Sequence, residues 1–317
     1  MADIVGLLLP FFGLIVIGYI AARVTKQSAE ALGWLNTFII YAALPALFFK
    51  LVSKTPIEQL TRAGFVVTDI AATYLIFLLL FLIGRFLRRN SLADSTIRAF
   101  AGAYGNIGYM GPGLALAVLG GKAAAPTALI FCCDSIFLFT IVPLLIELTN
   151  RDHPSALHAI GVAARQVVLN PLIMSAAAGA IAAALHLHLP VAVDNTLLFL
   201  QNAAAPTALF VLGVTIALRP FDRVPWEVPG VIAVKLLIHP LAAFGLMLAF
   251  GPFAQPWAAT AVLMASLPPA LNVFVIARQN NTWIEPASVA VLIGTFASVV
   301  TLTSVMWFIQ SGRLVFP

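Results

Sequence analysis

Charge is the scarcest thing in this sequence: Asp, Glu, Lys and Arg make up 9% of its 317 residues, while apolar types make up 62%. A soluble domain carries roughly 25% charged and about 45–50% apolar residues. A water-soluble fold of this length is therefore excluded, and the solvent must be lipid. Cysteine is nearly absent. Cys132 and Cys133 are adjacent inside an apolar run, which offers neither a disulfide framework nor CxxC metal spacing. They read as two small buried apolar side chains. HExxH, GxSxG, a Walker loop and a soluble carboxylate pair are missing too, so enzymatic chemistry and direct ATP coupling are not expected. No cofactor and no metal site is expected either. The net charge of +5 does not indicate nucleic acid, because the cations sit at the ends of apolar segments, where membrane topology explains them.

What the chain has in quantity is long apolar runs. A bilayer core takes about 20 residues of helix, and ten segments qualify: 4–22, 34–52, 63–84, 97–119, 124–148, 159–184, 195–217, 230–250, 258–278 and 287–310. The first follows Met1-Ala2-Asp3, with no basic residue, and is long for a signal peptide; it reads as a span. Without water to satisfy the backbone each segment should be helical. The fold class expected is an all-α polytopic membrane protein with ten transmembrane helices. Loops after spans 1, 3, 5, 7 and 9 hold ten Lys or Arg, among them Arg151 and Arg219. The other side holds five: Lys50, Lys54, Arg62, Lys122 and Arg313. The richer side should face the cytoplasm. That places both termini outside, in a plasma membrane (a bacterial inner membrane).

The two halves echo each other. Pro10 and Pro171 are 161 residues apart, and so are Pro45 and Pro206; Asn36 and Asn202 precede the second pair. Gly111-Pro112-Gly113 in span 4 corresponds to Leu267-Pro268-Pro269 in span 9. The reading is a first repeat at 1–148, a short cytoplasmic loop at 149–158 and a second repeat at 159–317. Five spans per repeat is an odd number, so the second copy is inverted. Interrupted helices at matching places in inverted repeats point to a transporter's binding site.

Span 4 has glycines at 102, 105, 108 and 111, and the stretch from Asn106 to Gly113 should unwind. Pro268-Pro269 forces a break in span 9, with Asn272 just beyond it. If the two breaks cross, Asn106 and Asn272 meet near the midplane, where freed amides and a half-helix N-terminus favour an anion. In span 6, Asn170-Pro171 reads either as a structural pair or as part of the site. Arg165 reads as snorkelling to the interface. Ionisable residues deep in spans default to functional hypotheses: Asp69, Asp134, Lys235 and His239. The two aspartates are candidates for proton coupling, with pairing to Lys235 as the rival reading. Lys235 and His239, four apart, share a helix face.

Asn106-x4-Gly111-Pro112, Asn170-Pro171 and Leu267-Pro268-Pro269-Ala270-x3-Phe274-x2-Ala277 resemble the auxin efflux carrier family. Gly108-Tyr109-Met110-Gly111 and the short loop at 149–158 resemble its bacterial, malonate-carrier-like members. The resemblance implies two inverted five-helix repeats, helices 4 and 9 crossing at proline breaks, and an elevator moving a small organic anion. It implies substrate contacts at Asn106 and Asn170, and this reading adds Gly111, Pro112, Pro268, Pro269 and Asn272. This chain has Gly111-Pro112-Gly113 where the family commonly has Gly-x-Pro, so its crossover is expected one residue earlier. The expected partners are a small organic anion, membrane lipid, and proton or sodium as coupling ion; a homodimer stays open. The rival functions are a sodium-coupled symporter of the bile-acid type, for which no acid adjoins either break, and a channel or membrane sensor.

Overall fold

Every element among the described residues is helical, and an isolated antiparallel bridge between Gly105 and Pro269 is the one piece of strand-like pairing there. The computed structural model describes residues 2–26, 31–149, 161, 164–165, 167–218 and 223–316. Residues 150–158 of the expected loop, with Arg151 and Arg219, lie outside the described residues. We number the helices α1 (Ala2–Thr25), α2 (Leu32–Ser53), α3 (Ala63–Leu82), α4 (Leu92–Ala103), α5 (Gly111–Leu119) and α6 (Ala124–Glu147). Then follow α7 (Pro171–Ala184), α8 (Val191–Ala217), α9 (Val228–Phe250), α10 (Gln255–Ala265), α11 (Leu271–Gln279) and α12 (Ile284–Gln310).

Among the described residues, six stretches are long and apolar enough to cross a membrane: Leu32–Ser53, Glu58–Leu87, Gly111–Glu147, Val191–Ala217, Val228–Phe250 and Ile284–Gln310. Leu9–Thr25 and Pro171–Ala184 are shorter apolar helices. Ten spans were expected from composition. At spans 4 and 9 the difference has a physical source, because both expected breaks are present, whereas span 6 begins among residues outside those described. Spans 4 and 9 are each divided into two helices too short to cross, and α5 runs into α6 through a tight turn at Gly120–Ala123. The paired prolines of the two halves serve different local roles. Pro10 and Pro206 lie inside α1 and α8, whereas Pro171 opens α7 and Pro45 follows a wide, five-residue turn at Ile39–Ala43.

The chain divides into two compact units that are not its two sequence halves. The first comprises Met1–Arg62, Gly108–Leu129 and Asn170–Phe221; the second comprises Ala63–Ile107, Ile130–Leu169 and Asp222–Pro317. Within the first unit α1 packs along α8, and α2 packs against α7 and α8. Small residues allow this approach. A Cβ at Gly18 would overlap the carbonyl of Phe210, and one at Gly213 the carbonyl of Ile15. Lys50 on α2 reaches Asp194 on α8, with Nζ 2.8 Å from Oδ1.

Within the second unit α3 packs on α4 and α9, and α12 receives α4, α10 and α11. Val228, Ile232 and Leu236 form a buried cluster with Val289 and Ala290. Arg98 on α4 donates to Glu227 at 3.1 Å, and the Trp283 indole donates to the same carboxylate at 2.6 Å. That one carboxylate ties together the start of α9, the start of α12 and the middle of α4.

Candidate functional site

Two interrupted spans meet inside the second unit, and local sequence explains both interruptions. Helix α4 opens at Ser91, whose hydroxyl oxygen accepts from the Asp94 amide at 2.9 Å. It closes at Ala103, where the Tyr104 N–H makes the last turn to the Phe100 carbonyl at 2.8 Å. The Tyr104 ring stacks on Phe100 with centroids 5.1 Å apart, and its hydroxyl lies 3.1 Å from Ser135 Oγ. Helix α10 ends at Ala265, because Pro268 and Pro269 have no N–H to continue the ladder. The freed backbone groups then satisfy each other across the break. The Asn106 N–H donates to the Pro268 carbonyl at 2.8 Å, and the Ala270 N–H to the Tyr104 carbonyl at 3.2 Å. Gly294 on α12 backs this pairing; a Cβ there would stand 2.6 Å from Pro269 Cδ.

The unwound part of span 4 was expected at 106–113, but it runs from 104 to 110. Gly111-Pro112-Gly113 is not the break. It is the first turn of α5, with Pro112 in an opening position. Proline lacks only an N–H that has no intrahelical partner there, and its fixed φ suits a helix start. In span 9 the break is at 266–270, and Asn272 lies in the first turn of α11, as expected.

Lys235 is fully buried and touches both breaks. Its Nζ donates to the carbonyl of Ala265 at 3.0 Å and to that of Ala103 at 3.5 Å. These are the last residues of α10 and α4, where a helix dipole is negative and carbonyls lack partners. One ammonium thus caps two half-helices at once. Local sequence aims it. Pro240 disrupts the ladder behind it, and α9 answers with a wide turn at Val234–Ile238, closed by the His239 N–H to the Val234 carbonyl. The predicted shared face holds, with Lys235 Nζ 2.9 Å from His239 Nδ1.

Asp69 on α3 and Asp134 on α6 are buried and lie within electrostatic reach of each other and of Lys235. Direct pairing with Lys235 was the rival reading for them, yet among the described residues the lysine makes no salt bridge to either. Asp134 Oδ2 instead accepts from the Thr73 hydroxyl at 3.0 Å. Asp134 Oδ1 and Asp69 Oδ2 are buried without a hydrogen-bond partner. In sequence no acid adjoins either break; in space two acids neighbour the lysine that spans both.

Asn106, Pro268, Pro269, Asn272, Asp69 and Asp134 belong to the second unit, while Gly111, Pro112 and Asn170 belong to the first. Asn106 is 3% exposed and Asn272 half-buried. Among the described residues no hydrogen bond engages either side chain. Asn170 differs: its Oδ1 accepts from the Leu172 and Ile173 amides at 2.9 and 3.4 Å, capping α7. Of the two readings for Asn170-Pro171, this contact fills the structural one, by serving two freed amides.

Sequence reasoning missed Thr73, Tyr104, Ser135 and Gly294, and did not connect Lys235 to the breaks. Thr73 had a signal in the sequence, since it stands four residues after Asp69 on the same helix face. Among the described residues no group of three or more His, Cys, Asp or Glu could hold a metal ion.

The sequence matches the family model described as "Membrane transport protein" over residues 3–306. It is 50% identical, over 99% of this chain and 98% of the relative, to a protein of Rhizobium meliloti (strain 1021) named "Putative malonate transporter". It is 24% identical, over 98% of each chain, to the "Uncharacterized transporter YfdV" of Escherichia coli (strain K12). An "Uncharacterized transporter" of Methanothermobacter thermautotrophicus is 24% identical over 91% of this chain and 93% of the relative. The family and these relatives are transporters, not enzymes, and the apolar helices make this a multi-pass membrane protein with a small-molecule substrate. The chain belongs to the membrane transport protein family of the auxin efflux carriers and is a malonate-carrier-like member of it.

Proposed function

We propose that this protein is a secondary carrier of small organic anions, mono- or dicarboxylates, and that it holds the carboxylate at the paired breaks of spans 4 and 9. One observation supports this most: the Asn106 and Asn272 amide groups lie on the two interrupted spans and, among the described residues, have no hydrogen bond to keep. Neutral amides bind a carboxylate without a permanent unpaired charge in hydrocarbon. They also let it leave. The name of the Rhizobium relative directs the first choice of substrate to malonate.

The architecture proposed is ten transmembrane helices in two inverted repeats, 1–148 and 159–317 around the loop at 149–158, working as an elevator in the plasma membrane. Both termini lie outside the cell. The division into units supports the repeat. The first unit takes spans 1, 2 and 7 with most of span 6, and all of spans 3 and 8 fall in the second. For spans 1 to 3 and 6 to 8, corresponding spans go largely to the same unit, whereas spans 4 and 5 are divided between the units and spans 9 and 10 are not. Asp69 and Asp134 are proposed as the coupling groups, with a proton as the ion. Lys235 already places a cation between the half-helix carbonyls, where a sodium ion would otherwise be drawn, and this favours proton over sodium.

The test is counterflow in proteoliposomes. Vesicles preloaded with malonate should accumulate labelled malonate transiently, which a channel cannot do. Asn106→Ala should abolish this while the protein remains folded. Unchanged counterflow in that variant would remove the breaks from the transport route, and a strict sodium requirement would favour the bile-acid type of coupling.

A further inference from the structure

Of the five lysines in the chain, three line one cavity of the first unit: Lys50, Lys54 and Lys122. The cavity holds about 460 Å³ and is also lined by Thr55, Gln59 and Gln201. Small-molecule sites fall at about 300–1,000 Å³. The lysines come from three places, namely the last turn of α2, the turn after it and the Gly120–Ala123 turn. Asp194 forms a salt bridge with only one of them, although it also lies within electrostatic reach of Lys54. Its carboxylate is bound to Lys50 at 2.8 Å, and its main-chain carbonyl accepts from the same ammonium at 3.1 Å. Lys54 and Lys122 are exposed, and among the described residues neither forms a salt bridge. Glu58, His186 and His188 face Lys54 from an adjoining cavity of about 390 Å³. The balance in the larger cavity remains positive.

Membrane topology gives no reason for this clustering. Cations gather on the cytoplasmic side, whereas these three lie in the loops on the cation-poor side of the count. Convergence of three lysines on one cavity is a different kind of placement. Two ammonium charges on flexible stems, Lys54 and Lys122, beside the paired Lys50, suit an anion with two separate charged groups, rather than one flat carboxylate held in a fork. Gln59 and Gln201 add N–H donors on the same wall.

We infer that this cavity is a second anion site, distinct from the broken spans, which captures small dicarboxylates and raises their local concentration. The inference rests on the proposed function in one respect: the captured anion is of the class the protein carries. The site itself should take any small dianion, and electrostatic capture is steeply reduced by salt.

The experiment is equilibrium dialysis of labelled malonate and labelled sulfate against purified full-length protein at low and high salt. Wild type, K54Q/K122Q, K54R/K122R and N106A are compared, with malonate uptake into proteoliposomes measured in parallel. The double glutamine variant should lose about tenfold in low-salt affinity for both dianions. Its uptake KM should rise about fivefold with kcat unchanged. The double arginine variant should keep binding, which separates lost charge from lost folding. N106A should bind sulfate as wild type does. Equal binding of both dianions by wild type and K54Q/K122Q would overturn the second site. Uptake by N106A equal to wild type would overturn the carrier site at the breaks while leaving the lysine cavity, read through sulfate, intact.

Discussion

A Cβ added at Gly105 would stand 3.1 Å from the Nζ of Lys235, with Leu267 Cβ and the Met264 carbonyl oxygen each at 3.3 Å. The glycine and the lysine therefore occupy adjoining space, and a larger residue fits only if its neighbours give by a few tenths of an ångström. Two of the three neighbours are a backbone carbonyl and a Cβ carbon, which cannot swing aside. Gly105→Ala should lower stability by about 1–3 kcal/mol. Thermal unfolding in detergent would show it, and a variant as stable as wild type would mean that the paired breaks have slack.

Lys235→Met keeps most of the stem and removes the ammonium. The Ala103 and Ala265 carbonyls then lose a shared buried donor, at about 1–3 kcal/mol. Stability should fall about as far as in Gly105→Ala, and uptake should fall with it. Wild-type uptake and stability in Lys235→Met would show that water or another group caps both half-helices equally well.

Asp134→Asn removes a titratable proton and keeps an oxygen for the Thr73 hydroxyl. If Asp134 carries the coupling proton, uptake in this variant should become flat with pH across the range where wild type varies. Asp69→Asn gives the parallel test. A pH profile identical to wild type in both variants would take the aspartates out of the coupling.

Asn170→Ala should weaken α7 by about 1 kcal/mol, the usual effect of losing a helix cap. Asn170→Ser, which can also cap, should restore stability. Uptake KM separates the two roles of this residue. A serine variant with restored stability but a raised KM would show that the asparagine also meets substrate.

The membrane character, the all-helical class and both interruptions were legible because they depend on local chemistry. Lipid demands helices, and Pro268-Pro269 cannot continue one. The position of the first break was displaced because Pro112 is equally at home opening a helix, and nothing in Gly111-Pro112-Gly113 itself says whether a helix is ending or beginning. The span number was blurred for the same reason, since α5 and α6 follow each other through four turn residues. Lys235 was visible as an anomaly, but its partners, Ala103 and Ala265, are distant in sequence and are backbone groups that no composition records. The glycines at 18 and 213 carry no mark of their own either. Their importance appears only once α1 lies along α8.

The link between the two interrupted spans runs through main-chain atoms of residues 104, 106, 268 and 270. Amide and carbonyl are the same in almost every amino acid, so mutation at these positions changes the side chains around the joint without dissolving the joint itself. Lineages sharing this frame are therefore free to exchange one cargo for another by altering a few side chains, and the frame itself can persist long after pairwise identity has decayed.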